Sequence, residues 1–185
     1  FIDGLRVTDE KSIKIVEEVL IIFNKEITNA LKNNYCDSQG ITNKQNNILM
    51  VEQENTKLGY VGAPKEINQS IIHQVVKEKK VPVIAPLGLD KNNQVFNINA
   101  DTAAGAIAKK LNARRLIIMS DIEGVLDNNK KLISEINSDK INELIKNKTI
   151  FGGMIPKINN CLDVASNGVK GVCIIDGRLD HSILF

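Results

Sequence analysis

The run Val81-Pro82-Val83-Ile84-Ala85-Pro86 is apolar at every position and lacks the alternation of a half-exposed strand. Continuous apolarity over that length predicts a strand buried on both faces, the setting of a parallel strand between helices. Arg115 to Met119 and Gly171 to Ile175 are read as further strands. Helical patterns lie between them. Ile13, Val16, Leu20, Phe23, Ile27 and Leu31 recur at intervals of three and four after Thr8-Asp9-Glu10, so a long amphipathic helix is expected to cover a sheet. A second helix over Asn68 to Glu78 carries Ile71, Ile72, Val75 and Val76 on one side, and an alanine-rich helix follows from Ala100 to about Leu111. Further helices are expected from near Ser138 and near Gly153. Ile48 to Val51, Lys57 to Val61 and Gln94 to Ile98 read as short strands, with a loop at Thr42 to Asn47 and a polar turn at Asp90 to Asn93. This alternation predicts an α/β sandwich with a largely parallel sheet, in one packed domain over residues 1–185.

Charge and cysteine usage narrow the class. The 24 basic and 22 acidic residues nearly cancel, giving a net charge of +2 without segregation, so no nucleic-acid face is expected. Cys36, Cys161 and Cys173 form neither a metal clamp nor an even disulfide framework and read as reduced thiols. No apolar run approaches the roughly 18 to 20 residues of a membrane span, and no signal core opens the chain. The expectation is a soluble, cytoplasmic protein without a membrane partner.

In open α/β sheets ligands bind beyond the carboxyl ends of the strands. Three loops there carry chemistry. In Asn97-Ile98-Asn99-Ala100-Asp101-Thr102, alternation puts Asn97 and Asn99 on one side, Asn99 is placed to cap the next helix, and Asp101 falls in its first turn. A capped helix and a binding site both satisfy that pattern. In Ser120-Asp121-Ile122-Glu123-Gly124-Val125-Leu126-Asp127, apolar residues interleave the polar groups, as an apolar slot for a purine and ribose requires, although Asp and Gly also serve simple turns. In Phe151-Gly152-Gly153-Met154-Ile155-Pro156-Lys157, paired glycines open a helix and expose backbone N–H groups to an anion. Lys157 leans back toward that end, where a cation is disfavoured by roughly 0.3 to 1 kcal/mol unless an anion intervenes. A bound phosphate and a solvated lysine are the two readings. Neither a Walker motif nor GxGxxG is present. Arg6, on a β-prone piece after Gly4, has the side chain best suited to grip a carboxylate.

Gly4-Leu5-Arg6-Val7-Thr8, Asn97-Ile98-Asn99-Ala100-Asp101, Ser120-Asp121 with Gly124-Val125-Leu126-Asp127, Gly152-Gly153-Met154-Ile155-Pro156-Lys157 and Ile175-Asp176-Gly177-Arg178 together resemble the acetylglutamate kinases of the amino-acid kinase family, in order and spacing. The resemblance covers essentially the whole chain. It implies the family's three-layer α/β/α sandwich, lacking the family's N-terminal portion and extreme C-terminus. Residues 1–98 would lie mainly on the acceptor side and 99–185 mainly on the nucleotide side. The implied reaction is ATP-dependent phosphorylation of the side-chain carboxylate of N-acetyl-L-glutamate, in arginine biosynthesis. Arg6, Asn97 and Asn99 would bind that substrate. Asp101 would orient catalytic lysines and Lys157 would neutralise the transferring phosphoryl group. Asp121, Gly124, Val125, Leu126, Phe151, Gly152, Gly153 and Met154 would bind the nucleotide, with Mg²⁺ as cofactor and no protein metal cluster. The complete protein would be a homo-oligomer.

The chemistry suits those residues, because a carboxylate with an ordinary pKa of about 4.3 is ionised at neutral pH and needs no general base. His73 and His181 need no catalytic role. The family's early lysine, Gly-Gly turn and second glycine-rich loop would precede Phe1, so the 185-residue chain alone is expected to be inactive and poorly soluble. The loop Gly40-Ile41-Thr42-Asn43-Lys44-Gln45 departs from the Gly-Leu-Ser/Cys-Gly-Lys-Asp frequent in the family. Rival readings are an acyl-phosphate-forming kinase of the aminoadipate-carrier type and a non-catalytic nucleotide- or amino-acid-binding module.

Overall fold

The computed structural model describes residues 6–127, 129, 131–150 and 152–184. It divides into two compact units, Phe1–Lys110 and Leu111–Phe185. In the first unit, α1 spans Glu10–Asn33 and starts where the Asp9 carboxylate accepts the Ser12 backbone N–H at 2.7 Å. Then follow β1 (Ser38–Ile41), β2 (Leu49–Gln53), a 3₁₀ turn at Thr56–Leu58, β3 (Gly62–Ile67), α2 (Gln69–Lys77), β4 (Val81–Ile84), β5 (Leu87–Leu89), β6 (Val95–Asn97) and α3 (Ala100–Lys110). β1 and β4 pair in parallel, from Ser38 opposite Val81 to Ile41 opposite Ile84. A mixed sheet runs in the order β3-β2-β5-β6. The second unit holds β7 (Arg115–Ser120), α4 (Ser138–Lys146), α5 (Met154–Ser166), β8 (Gly171–Asp176) and a 3₁₀ turn at Ser182–Leu184. The α/β class is as expected.

Several elements depart from the sequence reading. The strand expected at Lys57 to Val61 is a turn followed by β3, because Asn55 caps the turn by accepting the Lys57 N–H at 2.9 Å and Gly59 takes φ +70°. β1 carries no alternation in Ser-Gln-Gly-Ile and was not expected. The apolar run 81–86 is interrupted by Ala85 and Pro86 between β4 and β5, and Val81 stays exposed. β7 buries Leu116 and Ile118 but exposes Ile117 and Met119, since within this unit its core covers one face of the strand pair.

α1 corrects the stripe most. Ile13 is buried, but Phe23 and Ile27 face outward while Asn24 and Thr28 face the strands. Gly40 on β1 explains the exchange: a Cβ there would collide with Asn24 Oδ1 and stand 3.3 Å from Thr28 Oγ1, so the helix lies too close for large apolar side chains. Asn24 Nδ2 donates to Val83 O at 2.8 Å, Thr28 Oγ1 to Asn24 O at 2.7 Å and Ser38 Oγ to Thr28 O at 2.9 Å, which satisfies the buried polar groups. On α2, Ile72 and Val75 are buried whereas Val76 is exposed, the stripe being narrower than four residues.

Gly40→Ala should therefore lower stability by about 1–3 kcal/mol through overpacking. Urea melts of the two forms check it; an unchanged midpoint would mean that α1 can retreat at no cost.

Candidate active site

β7 and β8 pair in parallel without a register shift, from Arg115 opposite Gly171 to Ser120 opposite Asp176. Their carboxyl ends therefore finish level, and the loop after β7 starts beside the end of β8. That loop turns at Gly124, whose φ of +135° favours glycine; a Cβ there would also press on the tip of the exposed Leu132 side chain, which could shift aside. It then folds into a small hairpin: Ile133 N–H donates to Val125 O at 2.8 Å, and the Asp127 carboxylate accepts the N–H groups of Asn129 and Lys131 at 2.8 and 2.9 Å. Val125 enters a core with Ile141, Leu144, Ile150 and Ile158.

α5 opens the opposite wall. Gly152 has φ +56°, and Gly153 is the N-cap with no side-chain hydrogen bond to the helix. Gly153 thus brings no capping side chain to this end, which suits an anion, although the Ile155 N–H already donates to Gly152 O at 3.2 Å and Pro156 has no N–H to offer. Lys157 stands half-buried in the first turn. Between the walls is a cleft of about 470 Å³, lined by Ser120, Asp121, Ile122, Gly124, Val125, Leu126, Thr149, Ile150, Gly153, Met154 and Lys157. Its Ile, Val, Leu and Met side chains form an apolar slot, and Asp121 and Lys157 bring one carboxylate and one amine to it. The expected nucleotide residues Asp121, Gly124, Val125, Leu126, Gly153 and Met154 all line this cleft; Gly152 adjoins it and Phe151 lies outside the described residues.

The expected acceptor residues belong to the first unit. Thr8 bridges to Gly59, its N–H donating to Leu58 O at 3.0 Å and its carbonyl accepting from Tyr60 N at 2.7 Å. Tyr60 O in turn accepts the Asn97 N–H at 2.9 Å, and Asn97 Nδ2 donates to Thr8 Oγ1 at 3.4 Å. The Arg6–Thr8 segment and Asn97 are brought together by that chain. Thr8, 1% exposed, belongs to the Gly4–Thr8 motif but has no role assigned from the sequence, since a lone threonine carries no periodic signal. Asn99 caps α3: its side-chain oxygen accepts the Thr102 N–H at 3.0 Å and Thr102 Oγ1 at 3.2 Å. Asp101 sits half-buried in the first turn of α3.

Residues 2–176 match the amino acid kinase family. The chain belongs to that family. It is 65% identical over 185 residues to the acetylglutamate kinase of Pelagibacter ubique, covering all of this chain and 64% of that protein. The acetylglutamate kinase of Campylobacter fetus is 45% identical over 186 residues, again across the whole chain and 66% of the relative. The chain thus spans somewhat under two thirds of the length of these curated relatives. Among solved structures, the smu.665 protein of Streptococcus mutans superposes with a TM-score of 0.89 at 31% identity, over 95% of this chain and 72% of that one. The N-acetylglutamate synthase of Neisseria gonorrhoeae superposes at 0.88 with 20% identity, over 100% of this chain and 43% of its own, a likeness of fold alone.

Beside the cleft, the Asp176 side chain at the end of β8 is 5% exposed and paired with Arg178 at 2.7 Å. The hydrogen bonds from the Arg178 side chain and backbone hold its carboxyl down, from 3.8 to about 2. A carboxyl depressed on folding contributes stability that is present above its unfolded pKa and is lost as pH falls through the folded one. Thermal melts should therefore show a loss between pH 3.8 and about 2 that Asp176→Asn largely lacks. Parallel acid limbs for both forms would show that Asp176 does not govern it.

Proposed function

We propose that this chain is the larger part of an acetylglutamate kinase, which transfers the terminal phosphoryl group of ATP to the side-chain carboxylate of N-acetyl-L-glutamate in arginine biosynthesis. The observation that carries this reading is the cleft at the uncapped start of α5, where glycine N–H groups and Lys157 meet an apolar slot. The chemistry needs no base: two anions must be brought together and the charge that develops between them neutralised. Lys157 and the helix start at Gly153 and Met154 supply positive charge on the phosphoryl side, and Ile122, Val125, Leu126 and Met154 offer the slot for the base and sugar. Mg²⁺ would enter on the phosphate oxygens of the nucleotide, since it dehydrates reluctantly and is usually shared with substrate. Asp121, which lines the cleft, is the residue that would hold it from the protein side.

Residues 99–185 serve mainly the nucleotide and 1–98 mainly the acceptor. Arg6 and Asn97, gathered through Thr8 and Tyr60, grip the acceptor's carboxylate and amide; Asn99 and Asp101 at the head of α3 stand beside them in the chain. The identity of 65% to a named acetylglutamate kinase supports this acceptor over others. The protein is cytoplasmic, consistent with the absence of a helix long and apolar enough to cross a membrane among the described residues. It self-associates, a reading supported by the exposed apolar residues Ile15, Val19, Ile22 and Phe23 along α1.

Calorimetry of the 185-residue chain with Mg²⁺ and ATP is expected to show binding, weakened by Lys157→Ala, with N-acetylglutamate affinity little altered. ATP heats equal to dilution would remove the nucleotide reading of the cleft. In a protein of the full length of its curated relatives, Lys157→Ala should lower turnover about 10²- to 10³-fold, the usual effect of losing one preorganised charge-stabilising group, with a small change in the Michaelis constant for N-acetylglutamate. A coupled assay offering N-acetylglutamate, glutamate, aspartate and carbamate separately checks the acceptor; preference for any of the other three would overturn it.

A further inference from the structure

The sequence Asp176-Gly177-Arg178 carries no role in the reading above, yet its geometry reaches the cleft. Asp176 ends β8 with its carboxylate inside, and a buried carboxylate must be fully paired. Arg178 supplies the pairing in a fork: Nε donates to Oδ1 at 2.8 Å and Nη2 to Oδ2 at 2.7 Å. The Arg178 backbone N–H donates to the same Oδ1 at 2.9 Å, closing a tight ring that leaves the turn one shape. Between them, Gly177 N–H donates to Ser120 O at 2.8 Å. Ser120 is the last residue of β7 and the first of the cleft lining, so the turn is tied to the root of the loop. A Cβ on Gly177 would lie 3.3 Å from Met119 Cε and 3.4 Å from Ser120 O, which marks how closely the two segments meet.

The outer side of Arg178 remains in reach of the loop. Its side chain is 60% exposed. Its pKa is raised first by the hydrogen bond to Asp176, with the charges of Asp176, Asp121 and Glu123 adding to that rise. One guanidinium therefore holds a buried carboxylate inward, and its charge is favoured, to a smaller degree and through space, by the Asp121 and Glu123 carboxylates of the loop. The outward attraction matters for an anionic ligand, because Asp121 lines the cleft and by itself would repel phosphate.

We propose that the Asp176–Gly177–Arg178 turn is the positioning device for the 121–125 loop, holding that wall of the cleft in place and offsetting its negative charge toward a nucleotide. The nucleotide half of this inference rests on the function proposed above; the loop half does not.

Hydrogen–deuterium exchange of the 185-residue chain tests the loop half without any ligand. Arg178→Lys, which keeps the charge but loses the fork, should speed exchange of the 121–125 amides several-fold while amides of α4 and the middle of β7 stay protected. Glu123→Gln, an exposed change that leaves the Asp176 pair intact, should speed the same amides by a smaller factor. Wild-type exchange of the loop in both variants overturns the proposal, as does equal acceleration throughout the unit, the sign of mere destabilisation. Calorimetry tests the nucleotide half: Arg178→Lys should raise the Kd for Mg²⁺–ATP about tenfold, a typical factor for losing a charged hydrogen-bond pair, and leave that for N-acetylglutamate unchanged. Faster loop exchange with unchanged ATP affinity refutes the nucleotide role. Should the unsubstituted chain bind no ATP, the reading of the cleft falls, and the exchange result alone decides the clamp.

Discussion

Parallel pairing of β7 with β8 is the constraint on which the candidate site depends. Because the two strands run level from residues 115 and 171 to residues 120 and 176, two chain segments far apart in sequence end side by side at one edge. The loop after β7 and the turn after β8 can then share hydrogen bonds. Slipping the pairing by one residue would exchange Leu116 and Ile118 with Ile117 and Met119 on the covered face. All four are apolar, so the pattern of β7 alone does not select the register, but the register once set places the polar ends.

The cleft sets an apolar slot beside a polar helix start. The proposed function would need both, a dry apolar surface for a purine and a polar end for phosphate. Val125, Ile133, Met154 and Ile155 pack on one core, which supports the apolar wall. In the proposed function the positive end comes from the helix start at Gly153, which carries no side-chain cap, together with Lys157. In the first unit, the segment bearing Arg6 is anchored differently, through Thr8, Tyr60 and Asn97, a backbone lattice that a sequence pattern does not advertise.

Much of the candidate site was legible in the residues. Glycine pairs and a following lysine at a helix start suit an anion because the helix end is polar by construction, although the residues alone leave a solvated lysine equally open. The loop 121–126 was legible because its apolar residues interleave charged ones for no reason of turn geometry. The inward face of α1 was not legible. Its periodic apolar residues satisfy a helical stripe, but the helix approaches β1 where Gly40 has no side chain, and only Asn24 and Thr28 fit there. Nor was β1 legible, since Ser-Gln-Gly-Ile has neither alternation nor β-branched residues beyond its last position.

By itself the sequence determined the element types with strong periodic or capping signals and the α/β class, and it singled out the three loops proposed to carry chemistry; each follows from local rules of spacing and backbone preference. Only the tertiary structure decided which faces of α1, β4 and β7 are covered, because burial depends on what lies opposite and not on a strand's own residues. It also decided the partnership of Asp176 with Arg178 and of Gly177 with Ser120. Residues 120 and 177 are distant in the chain, and nothing in either segment specifies the other until parallel pairing sets them 2.8 Å apart.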